Sequence, residues 1–164
     1  MMGQLKRKCT FMSFFVILIL VFGAAYSAYL PYHTAGTEWM KALKLPACMP
    51  PCWVHAIAWP CMYFLMVTAL WVVWEKRQEK NALPALVVFA LQFFINILWG
   101  PVIVRSQNLD WAMIYMCVLF LLVIWNTISF WRVSKNVGML FLPYVAWMAY
   151  GAWLEAIIWR CNVA

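Results

Sequence analysis

Apolar residues run in five long stretches, each bounded by charge or proline. They cover about 10–30, 53–74, 83–103, 110–131 and 138–159. An α-helix needs roughly 20 apolar residues to cross a hydrocarbon core of about 30 Å, and each stretch meets that length. The first follows Lys6-Arg7-Lys8 and stops near Pro31. The second closes on Glu75-Lys76-Arg77, the fourth on Arg132 and the fifth on Arg160. The third carries Pro84 in its first turn, where a missing N–H costs nothing. Strands of a membrane barrel are about half as long and alternate in polarity. The pattern therefore predicts an all-α membrane protein, a five-transmembrane-helix bundle forming one domain over 1–164.

The connections are unequal. Three are short, and the segment from Pro31 to Cys52 makes a long loop between the first and second helices. It carries His33, Glu38, Trp39, Lys41, Lys44 and the prolines 46, 50 and 51. Long loops in small proteins commonly serve as lids or binding elements. A cleavable signal peptide is the rival reading of the first stretch, through its basic start and the run Ala24-Ala25-Tyr26-Ser27-Ala28. The stretch is long for a signal. Gly23 with Ser27, and Ala24 with Ala28, also make small-xxx-small pairs suited to packing in lipid, so it is read as a retained helix.

Composition removes the soluble alternatives. The chain is 68% hydrophobic and 10% charged, with mean hydropathy +0.83. Soluble domains are about half apolar and a quarter charged. A soluble globule, a disordered tail and a nucleic-acid-binding module are thereby excluded. The net charge of +7 sits at the ends of the apolar stretches. One side holds Lys6, Arg7, Lys8, Lys76, Arg77, Lys80, Arg132 and Lys135, and the other Lys41, Lys44, Arg105 and Arg160. The positive-inside rule places the N-terminus in the cytoplasm.

Twelve tryptophans stand out next, and two readings of them stay open. An interfacial belt accounts for Trp39, Trp74, Trp111, Trp131 and Trp159 near span ends. Trp99, Trp125 and Trp147 fit better if they turn inward and wall an aromatic cavity for a planar apolar ligand. The third span places Gln92, Asn96 and Trp99 on one face, at offsets of four and three. Amides are costly in lipid, so that face points inward, to cross-link helices, to meet a ligand, or both. The fifth span carries Tyr144, Trp147, Gly151 and Glu155, the last three at spacings of four, with Pro143 beside them. Glu155 either pairs with Arg160 at the interface or faces a cavity as a carboxylate.

Cys48, Cys52 and His55 are weak candidates for a metal site, with His33 as a further ligand; a loop disulfide and free thiols are the other readings. No metal is predicted. The sequence contains no nucleophile elbow, zinc-protease motif, P-loop or paired carboxylates.

Joint order and spacing then show a resemblance. Trp39-Met40-Lys41-Ala42-Leu43-Lys44-Leu45-Pro46 is followed by Pro50-Pro51-Cys52-Trp53-Val54, Trp59 and Tyr63. Val73-Trp74-Glu75-Lys76, Gln92-x3-Asn96-x2-Trp99-x-Pro101, Leu142-Pro143-Tyr144-x2-Trp147 and Trp159-Arg160-x-Asn162 complete it. The chain resembles the TspO/MBR family (tryptophan-rich sensory and translocator proteins, the peripheral benzodiazepine receptor family) from about 20 to 162. The resemblance implies a five-helix bundle, usually a homodimer, with a pocket opening toward the long loop. It implies tetrapyrrole, sterol or synthetic polycyclic ligands.

The family's pocket amide matches Asn96, and the Trp beside it matches Trp99. Trp53, Trp59, Tyr63, Gln92, Asn96, Trp99, Tyr144, Trp147 and Gly151 are thus the expected ligand-binding residues. Some members are associated with light-dependent porphyrin breakdown through two Trp that match Trp59 and Trp147 here; in that reading these two are catalytic.

Departures sharpen the expectation. His55 replaces an apolar residue, Cys48 the loop Trp, and Leu45 the Lys before Pro46. Glu155 replaces an Asn, and Ala156 the Tyr of the animal members. That Tyr belongs to a proposed cholesterol motif, and Tyr150 stands too far from Arg160 to substitute. The expected ligand is therefore a tetrapyrrole, protoporphyrin IX or haem, with no obligatory cofactor. His55 offers an axial ligand to haem in one variant of this reading. The chain is expected to act as a membrane sensor or translocator. A porphyrin-degrading enzyme, a sterol or lipid carrier and a structural scaffold are the alternatives. Expected partners are the polycyclic ligand, membrane lipid and a second copy, without nucleic acid. A bacterial membrane is favoured over the mitochondrial outer membrane.

Overall fold

The computed structural model describes residues 12–27 and 37–163. Every regular element among them is helical. They are α1 (Met12–Ser27), α2 (Thr37–Ala42), α3 (Cys52–Glu75), α4 (Ala82–Ser106), α5 (Leu109–Val133) and α6 (Lys135–Asn162). The four longest helices, α3 to α6, are each long and apolar enough to cross a bilayer. α1 is apolar but shorter within the described residues, and the outer parts of its apolar stretch lie outside them. The protein is an all-helical, multi-pass integral membrane protein.

Short links force antiparallel neighbours. At the α4–α5 turn Gln107 takes a left-handed conformation (φ 48°) and its N–H returns to the carbonyl of Ile103. Asn108 then caps α5, its side-chain oxygen accepting from the N–H of Trp111 at 3.0 Å. Such a cap satisfies one of the N–H groups that a helix start leaves unpaired. Ser134 alone links α5 to α6. α3, α4, α5 and α6 close into a four-helix arrangement, with the broadest contact between α5 and α6. α1 docks on α3 through Phe14 against Trp71 (5.5 Å between centroids), Phe22 against Tyr63 (6.1 Å), and Ser13 donating to Glu75 at 3.2 Å.

The two halves of the bundle are packed differently. One end gathers Glu75, Lys76, Arg77, Arg132 and Lys135. Beside that end Phe89, Phe130 and Phe141 interlock, with centroids 5.8 Å (Phe89–Phe130) and 4.9 Å (Phe130–Phe141) apart. Met66, Ala69, Val73, Ala82 and Val137 fill the remaining space and are buried. Toward the other end the filling stops on α3: Met66, Val67, Ala69 and Val73 are buried, whereas no residue from 52 to 65 is. The inward stripe there, His55, Trp59 and Tyr63, is only half-buried.

Two glycines report the same contrast. A Cβ on Gly138, in the first turn of α6, would come within 2.5 Å of Trp131 Cε3 and 2.9 Å of its Cβ. The single-residue link leaves α6 no room to retreat. A Cβ on Gly151 would meet nothing within 4 Å. Gly138→Ala is therefore expected to cost about 1–3 kcal/mol by overpacking and to lower the thermal unfolding midpoint in detergent. Gly151→Ala, measured alongside, does not lower the midpoint, because the added methyl meets nothing and Ala favours the helix more than Gly does.

Candidate functional site

Amide and phenol groups within lipid-spanning helices must satisfy one another, because no water is at hand. Four helices meet this requirement in one layer. Tyr63 of α3 donates its hydroxyl to Asn96 Oδ1 on α4 at 3.1 Å. Asn96 Nδ2 donates to the Tyr144 hydroxyl of α6 at 2.9 Å, and Gln92 Nε2 donates to the same oxygen at 3.0 Å. Asn126 Nδ2 of α5 donates to Gln92 Oε1 at 3.3 Å. Gln92, Asn126 and Tyr144 are wholly buried and Asn96 nearly so. The inward amide face expected on the third span is present, and its first role is to join helices.

Above this layer, on the side away from the basic end, two stripes face each other. His55, Trp59 and Tyr63 recur every fourth residue on α3, and Trp147 and Gly151 do so on α6. His55 and Trp147 meet edge to face with centroids 5.5 Å apart. Trp59 stacks on Tyr63 at 5.6 Å, with rings inclined by 29°. Trp59, Tyr63 and Trp99 also pack against the buried core from above. The groove between α3 and α6 is thus bridged by the His55–Trp147 contact, carries half-buried rings along it with the polar layer below, and leaves room at Gly151 for an added Cβ.

A strap crosses the mouth of the crevice. Residues 43–51 join α2 to α3 and are tied to α6 at two points. Asn162 Oδ1 accepts from the Lys44 N–H at 2.9 Å while its Nδ2 donates to the Lys44 carbonyl at 3.1 Å. The Tyr150 hydroxyl donates to the Cys48 carbonyl at 2.9 Å. Trp147, Tyr150 and Trp153 follow as a ladder of rings 6.0 and 5.8 Å apart. Trp159 Nε1 donates to Asp110 Oδ1 at 2.6 Å and fixes the end of α6 to the start of α5.

Eight of the nine expected ligand residues line these features: Trp59, Tyr63, Gln92, Asn96, Trp99, Tyr144, Trp147 and Gly151. Trp53 does not join them. It lies two residues before His55, hence on nearly the opposite side of α3, and is 64% exposed. Trp125 also turns outward, 52% exposed, and belongs with the ring-bearing outer surface. Cys48, Cys52 and His55 form no ligand set: among the described residues no three His, Cys, Asp or Glu side chains gather as for a metal ion. Cys48 and Cys52 are free thiols, and His33 lies outside the described residues. Asn126 is a further member of the polar layer, outside the expected set. An Asn-Thr pair inside an otherwise apolar span is its only signal in the sequence.

The result is a helical membrane bundle with an aromatic, amide-floored crevice beneath a hydrogen-bonded strap. The sequence profile of the TspO/MBR family matches residues 15–160, and the chain belongs to that family. The protein CrtK of Rhodobacter capsulatus is 32% identical over 125 residues, 76% of this chain and 78% of its own length. The tryptophan-rich sensory protein of Cereibacter sphaeroides is 32% identical over 125 residues, 76% and 77% of the two chains. The human translocator protein is 28% identical over 133 residues, 79% and 78% of the two chains.

The polar layer makes a graded prediction. Tyr144→Phe keeps the ring packing but strands two buried amide donors, at a cost of about 1–3 kcal/mol. Tyr63→Phe removes a single part-buried bond, worth about 0.5–1.5 kcal/mol. Thermal unfolding in detergent should rank Tyr144→Phe below Tyr63→Phe, and both below the unmodified protein. Separately, Asn162→Ala is expected to speed amide hydrogen exchange at Lys44 while leaving exchange in the middle of α5 unchanged.

Proposed function

We propose that the protein is a membrane sensor or translocator that binds a planar apolar ligand, a tetrapyrrole such as protoporphyrin IX or haem, in the α3–α6 crevice. The observation that carries this reading is the contrast between the two halves. One half is filled solid by phenylalanine, whereas the other presents Trp59, Trp147 and His55 half-buried over a polar floor. Flat rings offer a flat ligand offset or edge contacts, each worth about 0.5–1.5 kcal/mol beyond the area buried. The Tyr63–Asn96 pair at the floor offers a hydroxyl and an amide to polar atoms on the ligand's rim.

Topology supports the direction of access. The basic residues Lys76, Arg77, Lys80, Arg132 and Lys135 gather at the plugged end, which the positive-inside rule assigns to the cytoplasm with the N-terminus. The crevice and its strap then face the opposite side, and the ligand reaches the rings from lipid or beneath residues 43–51. Release of the Lys44–Asn162 and Cys48–Tyr150 ties is the step that opens the mouth. The relatives' names, a sensory protein and a translocator protein, agree with a role in which binding is reported or passed on.

Tryptophan fluorescence of the full chain in nanodiscs, titrated with protoporphyrin IX, tests the reading. Saturable quenching is expected. Trp147→Phe should weaken binding about three- to tenfold, the worth of one ring contact. Quenching that never saturates, or that is indifferent to both Trp147→Phe and Trp59→Phe, refutes it.

A further inference from the structure

The inward stripe of α6 does not end at Gly151. It continues to Glu155, which ring stacking on a flat ligand leaves without a task. Eleven residues make three helical turns, so Glu155 shares the face of buried Tyr144, about 16 Å further along the axis. Asn162, two turns beyond Glu155 on the same face, holds the strap at Lys44. Glu155 therefore turns toward the bundle, beneath the strap, about two turns inside the helix end.

Its surroundings differ from those of its neighbours. Leu154 and Ile158 are buried, whereas Glu155 is half-buried and keeps part of its surface exposed. At Gly151, one turn away on the same face, an added Cβ would touch nothing. Among the described residues neither an ion pair nor a hydrogen bond engages the Glu155 carboxylate. Arg160 is exposed and, five positions on, projects from a different side of the helix. The nearby acid Asp110, by contrast, is already occupied by the Trp159 indole. A carboxylate held inside a membrane helix without a partner is costly, and such groups are retained at ligand or ion sites. A cation or N–H donor brought in by a ligand would remove that cost through a charge-assisted hydrogen bond.

We infer that Glu155 is the recognition point for a cationic or N–H-donating group on the crevice's ligand, and that it disfavours ligands presenting a carboxylate there. The inference rests on the α3–α6 crevice being the binding site. It adds a chemical class to that reading: a planar apolar body with a positively charged or donor end. A porphyrin with two propionates binds with those groups turned away from Glu155, and one whose propionates are converted to aminoethyl amides binds better.

The test uses the full chain in nanodiscs and four probes: protoporphyrin IX, its dimethyl ester, its bis(aminoethyl) amide, and a planar acridinium dye. The amide is expected to bind about tenfold more tightly than the parent acid, with the ester between them. Glu155→Gln, nearly isosteric, should shrink that range to about twofold and weaken the dye comparably. Glu155→Asp, which keeps the charge, should retain the preference. Circular dichroism and gel filtration confirm that the variants are folded. A preference for the acid in the unmodified protein, or a range that Glu155→Gln leaves unchanged, overturns the inference while the tetrapyrrole reading stands. Dye binding that depends on Glu155, without binding of any porphyrin, does the reverse. If no probe binds saturably, both fall.

Discussion

A chain of hydrogen bonds from Tyr63 through Asn96, Tyr144 and Gln92 to Asn126 fixes how the helices of this bundle are turned toward one another. In water such groups would find partners anywhere. Within hydrocarbon each must find another protein group, and unpaired ones are expensive. Tyr144 accepts from two amides on α4, while Asn126 and Tyr63 bring in α5 and α3. One layer of five side chains thereby sets the rotation of four helices about their axes. Apolar packing alone would not, because in lipid both faces of each helix are greasy.

That layer also divides the molecule. On its basic side the phenylalanine cluster excludes everything else, and the one-residue link at Ser134 presses α6 against Trp131. On the other side α3 carries large rings on its inward stripe without burying them. The strap covers this half and is held by backbone-directed hydrogen bonds from Asn162 and Tyr150, not by apolar burial. Such ties open locally at little cost compared with unpacking a core. A firm half that holds the fold and a loosely closed half are what the proposed ligand binding requires. Glu155 lies in the second half, where a partner from outside can still reach it.

Several site residues are legible in the chain itself. Gln92 and Asn96 mark an inward face because two amides at helical spacing have no other tolerable place in a span. Trp59 comes from the family resemblance and Trp147 already from its place within a span, and both stand on the crevice walls. Asn126 is not legible in this way, because its partner, Gln92, lies 34 positions away and nothing in the local pattern pairs them. Trp53 and Trp125 show the opposite difficulty: indole is at home both in a cavity and against lipid, so residue type does not give its direction. The six-residue helix Thr37–Ala42 within the long loop is too short to show a period. Cys48, Cys52 and His55 look like a ligand set by spacing, yet Cys48 sits in the turn at Ala47–Cys48 while Cys52 and His55 belong to the start of α3, and the three form no ligand cluster.

The amino-acid order alone is enough for the helical membrane class, the apolar stretches, the charge asymmetry between their ends and membership of the family over residues 15–160. These follow from length, composition and short-range spacing, which lipid filters directly. Which phenol meets which amide, which tryptophans turn inward, and where the strap is tied emerge only from the assembled helices. The physical reason is the solvent. In water, hydrophobic periodicity marks the inner face of a helix; in a bilayer the outer face is as apolar as the inner one. Orientation is then carried by a few polar side chains whose partners are far away in the chain, and pairing across such distances has no local signature.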